Sequence, residues 1–206
     1  MDSNEVRRQW ADRSGEYSPE YYAYYGPDET SESLRGIFED RLDRDARVLE
    51  LGCSSGRHLA HLYEHGFENL SGVEINADAF ETMAATYPDL AAGGTFHCDA
   101  IENAVTDFPD DRFDAVYSVE TLQHIHPDAD WVFAELARIT ADLLVTVENE
   151  GEDGDEAVVN YVQDDFPLYY RDWNRVFTEL GFDQADVESG ERDTVRIFHA
   201  PGAGGS

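Results

Sequence analysis

Lysine is missing from this chain of 206 residues: all fourteen basic residues are arginine, and they face forty-five acids, for a formal charge of −31. Without lysine there is no phosphate-binding Walker loop, whose G-x-x-x-x-G-K core depends on it. With so few cations there is no basic patch to track a nucleic-acid backbone. Only two cysteines are present, Cys53 and Cys98, too few for a disulfide scaffold. No apolar run approaches the ~20 residues that span a bilayer. The opening "MDSNEVRRQW" lacks the apolar segment of a secretory signal. A soluble, cytoplasmic protein with no membrane partner is expected.

The acids are spread through nearly every segment rather than gathered in one run. An acidic face for a basic partner is therefore the weaker reading. Self-repulsion at this charge is strong at ordinary ionic strength. It is largely screened in molar salt, where the Debye length is ~3 Å. The composition reads as adaptation to the saline cytoplasm of an extreme halophile, and it says little about chemistry.

Hydrophobic residues make up 41% of the chain, and its length suits one α/β domain over 1–200 with a flexible tail at 201–206. Residues 1–45 are helical in pattern and rich in tyrosine, with a helix starting near Asp28 that puts Leu34, Ile37, Phe38 and Leu42 on one face. Strands are then expected at 48–51, 70–75, 95–97, 115–118 and 143–147, and helices at 56–64, 77–86, 101–106 and 129–139. This alternation predicts a parallel sheet covered on both faces. A helix at 173–180 precedes strands at 185–187 and 195–199, which only the polar turn "ESGERDT" separates; a terminal antiparallel hairpin follows.

In open α/β sheets ligands bind beyond the carboxyl ends of the strands, at the point where strand order reverses. The stretch "RVLELGCSSGRHLAHL" reads as a strand, a tight turn and a helix at such a place. A dinucleotide fingerprint would require glycine at 52, 54 and 57, but those positions are Gly52, Ser54 and Arg57. Glu50, at the strand end, would repel a pyrophosphate and suits a cationic or amine-bearing ligand. Glu74 ends the second strand, where a carboxylate can accept from both hydroxyls of a ribose. Asp99 follows the third strand, within reach of an adenine amino group. Three acids at successive strand ends describe a site for a nucleoside that carries positive charge and no phosphate.

The segments "VLELGCSSGRHL", "GVEIN", "CDAIE" and "FDAVYSVETLQHIHP" resemble, in order and spacing, the successive motifs of class I methyltransferases that use S-adenosylmethionine. The resemblance implies a Rossmann-like, seven-stranded, mostly parallel sheet with a terminal antiparallel hairpin strand and helices on both faces. It implies S-adenosylmethionine as cofactor, S-adenosylhomocysteine as product, and a small-molecule methyl acceptor. The core would be 46–148, with 1–45 as a cap and 149–200 on the acceptor side. By the same resemblance Glu50, Gly52, Ser54 and Gly56 form the loop beneath the methionine moiety, Glu50 acting through water or backbone amides. Glu74 would hold the ribose with Ile75 against the adenine, Asp99 and Ala100 would meet its other side, and Ser118 would line the methionine end. The family usually has glycine where Ser54 stands.

On the acceptor side the candidates are Tyr21, Tyr25, Glu148, Asn149 and Tyr169, with Tyr17, Tyr22, Tyr24, Tyr161, Tyr170 and Trp173 nearby in sequence. His124 is the candidate general base; a packed wall residue is the plain alternative. His124 and His126 form an H-x-H pair, but no third ligand stands at useful spacing, so no metal is expected. Arg57 opens the first helix, and a surface role explains it equally. Residues 150–156 read as a polar loop able to act as a lid. With the second strand between those bearing Cys53 and Cys98, their separation is about 9–10 Å at ~4.8 Å per strand. That exceeds the ~7 Å reach of a disulfide, so two free thiols are expected.

Three other functions stay open at this stage: a non-catalytic module that binds the cofactor and partners another protein, a methyltransferase with a protein acceptor, and a nicotinamide-dependent oxidoreductase. The missing glycines weaken the last. The "SVET" after the fourth strand, where nucleic-acid amino methyltransferases carry an "NPPY"-like segment, disfavours nucleic acid.

Overall fold

The central sheet runs in the order β3-β2-β1-β4-β5-β9-β8. The computed structural model describes residues 2–151, 159–162, 166–190 and 192–202. Five parallel strands, β1 (Val48–Leu51), β2 (Leu70–Glu74), β3 (Thr95–Cys98), β4 (Phe113–Val119) and β5 (Thr140–Glu148), form its body. β9 (Thr194–His199) runs antiparallel to both β5 and β8 (Asp183–Ser189), giving the hairpin expected from the sequence. The order reverses between β1 and β4, so the ends of these strands open a crevice there.

Alternation along β1 decides which side each residue serves. Leu49 and Leu51 enter the core beneath α7 (Ile101–Asp107), α8 (Val132–Ile139) and α9 (Trp173–Glu179). Val48 enters the opposite core, under α3 (Glu29–Arg41) and α4 (Arg57–Glu64). Glu50 shares that second face and pairs in register with Tyr117. A carboxylate is thus driven below the crevice floor by strand periodicity alone.

Several elements depart from the sequence pattern. The N-terminal segment forms two helices, α1 (Ser3–Ala11) and α2 (Pro19–Tyr25), each with a side-chain N-cap, from Asp2 and Ser18. A short α6 (Pro88–Gly93) follows α5 (Asp78–Thr86) directly, because Pro88 takes a first helical position where its missing N–H costs nothing. α8 begins at Val132 rather than 129, the preceding turn Pro127–Ala129 being 3-10. β6 (Val159–Val162) and β7 (Phe166–Tyr169) pair as a separate two-stranded sheet. Cys53 and Cys98 are free, and β2 lies between their strands. Residues 152–156 of the expected lid and 203–206 of the expected tail lie outside the described residues. Among the described residues no helix is long and apolar enough to cross a membrane.

Candidate functional site

The turn after β1 is built on three left-handed residues, Gly52 (φ 67°), Ser54 (φ 47°) and Gly56 (φ 81°). The amides of Gly52 and Cys53 both donate to the Val73 carbonyl, at 2.9 and 3.0 Å, which folds the turn back against β2. A Cβ on Gly52 would stand 2.4 Å from Thr121 Oγ1, and one on Gly56 would stand 2.9 Å from Met83 Cε. Ser54 carries a side chain in a region that costs an L-residue ~1–2 kcal/mol. Ser54→Gly should thus leave stability unchanged or raise it by up to about 1 kcal/mol, the relief being partly offset by glycine's looser unfolded chain. Ser54→Val, with its branched Cβ, should destabilise. Denaturant melts of both variants check this, and a loss in Ser54→Gly would mean that the serine hydroxyl holds the turn.

Glu74 joins this turn to the next one. Its Oε2 accepts from the Ser54 amide at 2.9 Å and its Oε1 from the Asn76 amide at 2.8 Å. Burial raises its pKa, against the pull of these backbone N–H groups. Glu74 lines the cleft, and a carboxylate has acceptor capacity beyond these bonds.

Glu50 is 2% exposed, and its Oε2 has no hydrogen-bond partner among the described residues. Burial pushes its carboxyl well above the usual range, countered by the Tyr117 hydroxyl and the Arg57 charge. A buried, unsatisfied acceptor is expensive. One that lines an open cleft is positioned for a donor brought by a ligand or its water.

The cleft has a volume of about 1150 Å³, counting its open mouth, and these turns form its floor. Glu50, Gly52, Ser54, Glu74, Ile75 and His124, all picked out from the sequence, line it together. α1 and the following segment roof it with Val6, Trp10, Tyr17 and Tyr22. Trp10 lies 4.6 Å from the His124 ring and 4.8 Å from Phe166. Arg57 lines the same cleft, paired with Asp28 at 2.7 Å and lying over the Tyr22 ring. His124 Nδ1 lies 3.1 Å from the Pro167 carbonyl, which can only accept, so Nδ1 carries the proton and Nε2 a lone pair. Burial lowers this histidine's pKa to about 4, leaving it neutral.

Other expected site residues are not among those that line the cleft. Asp99 is exposed and spends Oδ1 on the Ala100 amide and Asn103 Nδ2, at 2.7 and 2.8 Å, at the start of α7. Ile101 and Glu102 form the cleft wall at that strand end, and Ala100 is buried behind it. Ser118 and Glu148 are bonded to each other inside the protein rather than facing the cleft. Asn149 donates its amide to Gln123 Oε1, and Tyr169 packs behind His126 with ring centroids 5.3 Å apart. Tyr25 is 62% exposed, and Tyr21 packs edge-on to Tyr22 and tilted against Tyr25; among the described residues Tyr17 and Tyr22 are the tyrosines that reach the cleft. Trp10, Asn76 and Thr121 line the cleft without having been singled out; Asn76, next to "VEI" in the sequence, was the one with a local signal.

The donor set fits a cationic nucleoside. An orphaned buried carboxylate, a turn that is open only because it carries glycine, and a strand-end carboxylate with free lone pairs answer to an ammonium, a close backbone approach and two hydroxyls. Residues 48–142 match the sequence profile of the family described as "Methyltransferase domain". A mouse protein, EEF1A lysine methyltransferase 2, is 27% identical over 70 residues, a match that spans 34% of this chain and only 29% of that protein. Among solved structures, the fold is similar to the Burkholderia thailandensis 1,6-didemethyltoxoflavin-N1-methyltransferase with bound 1,6-didemethyltoxoflavin and S-adenosylhomocysteine. There the TM-score is 0.71 and identity 15%, covering 96% of this chain and 88% of that one. It is similar also to magnesium protoporphyrin IX methyltransferase from Synechocystis PCC 6803 with bound SAM, with a TM-score of 0.62, 16% identity, and coverage of 95% and 88%. Residues 48–142, just under half of the chain, thus match a methyltransferase domain, and the fold that surrounds them is similar to that of solved methyltransferases.

Proposed function

We propose that the enzyme methylates a small-molecule acceptor by in-line displacement, with 1–200 acting as one catalytic unit. The observation that carries this reading is the roof: α1 and α2 cover the same cleft that the cofactor turn floors, so an acceptor must fit beneath Trp10, Tyr17 and Tyr22. When bound, the cofactor supplies a methyl group already activated by a sulfonium. The protein's part is alignment and exclusion of water. Glu74 and the turn at Gly52 hold one end of the cleft. His124 Nε2 receives a proton at the acceptor atom where the acceptor carries one.

The protein-acceptor reading draws on the mouse relative's name. Its match is short, however, and a folded protein would have to thread a side chain under the roof. Labelled S-adenosylmethionine, incubated with the enzyme and either a metabolite extract or a protein fraction from the same cells, separates the two. Label is expected in the small-molecule fraction, and label confined to protein would reject the proposal.

We also propose that the charge of −31 adapts the enzyme to a saline cytoplasm. Its arginines are largely tied into ion pairs, such as Arg47 with Asp114 and Arg138 with Glu135, which leaves a large excess of acid. The melting temperature should rise steadily from 0.1 M to molar KCl as the Debye length falls from ~10 to ~3 Å. A flat or falling profile would refute the adaptation.

A further inference from the structure

Glu148 ends β5, is fully buried and lies outside the cleft wall. Its Oε1 accepts from the Ser118 hydroxyl at 2.8 Å and from the Thr121 and Leu122 amides at 3.1 and 3.0 Å; its Oε2 accepts from the Gln123 amide at 3.3 Å. The next residue extends the tie, the Asn149 amide donating to Gln123 Oε1 at 2.8 Å. Burial still lifts the carboxyl to about 7 despite four donors. A buried charge held at such a cost is weak support for stability by itself.

What these bonds hold is the loop after β4. Glu120 opens it on a left-handed backbone (φ 47°) and faces the cleft. Thr121 stands against Gly52, and His124 closes the segment beneath Trp10. Two separate features of the cleft, the acceptor-side histidine and the wall of the cofactor turn, thus share one buried anchor.

We propose that Glu148 is a positioning residue for methyl transfer, acting through residues 120–124 to hold Glu120 and His124 at the acceptor side of the cleft. The role in transfer rests on the methyltransferase reading above; the loop's dependence on Glu148 does not, and can be read without turnover. Glu148→Gln keeps the shape but replaces one acceptor oxygen with a donor that faces an N–H. In ¹⁵N-labelled protein the Trp10 indole and His124 ring signals should shift, while those of Trp131 and Trp173 stay in place. Affinity for S-adenosylhomocysteine should fall by less than kcat does, because of the cofactor turn only the Thr121 wall depends on Glu148 and the Glu74 side is untouched. With an acceptor in hand, kcat should fall about tenfold and the cofactor KM rise by less than that, the scale of one charge-assisted hydrogen bond. If Glu148→Gln fails to fold, Ser118→Ala, which removes one of the four donors, gives the same reading on a smaller scale. Trp10 and His124 signals that superimpose on wild type in the folded variant would overturn the proposal. A kcat that is unchanged while those signals move would overturn its catalytic part. Failure of the methyltransferase reading would look different: no transfer by wild type to any acceptor, with the loop signals still responding.

Discussion

Gly52→Ala is expected to abolish tight binding of S-adenosylhomocysteine and to lower stability by about 2–5 kcal/mol, the sum of a left-handed backbone and an overpacked contact. The first part follows from φ 67°, which any Cβ strains. The second follows from Thr121, whose Oγ1 and Cγ2 would lie 2.4 and 2.6 Å from the new methyl. Thr121 cannot turn aside cheaply. Its hydroxyl donates to the Val119 carbonyl at 2.9 Å, and its amide donates to Glu148. Either the turn moves away from Val73 or the loop after β4 leaves Glu148, and both deform the cleft floor. Adding Thr121→Ala to Gly52→Ala should recover the contact part and leave the backbone part, so the double variant should be more stable than Gly52→Ala yet still below wild type. Chemical denaturation and calorimetric titration read both. A variant that melts and binds like wild type would show that the turn tolerates a side chain at this position.

Glu74→Ala is expected to weaken S-adenosylhomocysteine binding about 100-fold or more, and Glu74→Gln about tenfold. Hydrogen bonds to a charged acceptor contribute ~1.5–3 kcal/mol each, and a ribose offers two hydroxyls. The alanine variant also frees the Ser54 and Asn76 amides, so it loosens both turns at once. Glutamine keeps one oxygen and most of the shape, which separates the ligand's share from the scaffold's. Burial raises this carboxyl above its ordinary value. As pH falls, Glu74 therefore protonates earlier than an exposed glutamate would, and cofactor affinity should decline on the acid side first. Titration with S-adenosylhomocysteine, with NAD as control, checks both. Unchanged affinity in Glu74→Ala would remove the ribose assignment, and tight binding of NAD alone would remove the cofactor assignment.

How much of this was legible beforehand varied by region. The five parallel strands and the terminal hairpin were readable because each announces itself within a few residues by apolar runs and turn chemistry. β6 and β7 were not: "VNYV" and "FPLY" are too short to show a period, and Pro167 argues against a strand anywhere but at an edge. α1 and α2 are set by caps at Asp2 and Ser18, but which of five closely spaced tyrosines turns inward depends on what the helix packs against.

The same boundary runs through the site. That Glu50, Gly52, Ser54 and Glu74 meet at one cleft was determined by the sequence itself, because a strand end, a tight turn and the next strand end are local objects whose open side follows from the direction of the sheet. Ser54 in a left-handed conformation shows that the turn's geometry outweighs the preference of the residue occupying it. Tertiary structure alone decided the rest. Asp99 is turned to donors at the head of α7, and Glu148 is held by three amides of the loop after β4 and by the Ser118 hydroxyl on β4 itself. Trp10 entered it because α1 folds across the cleft from more than a hundred residues away in sequence from His124. Competition for buried hydrogen-bond partners and the packing of distant helices have no signature in a short stretch of chain, so they become visible only when the chain is folded.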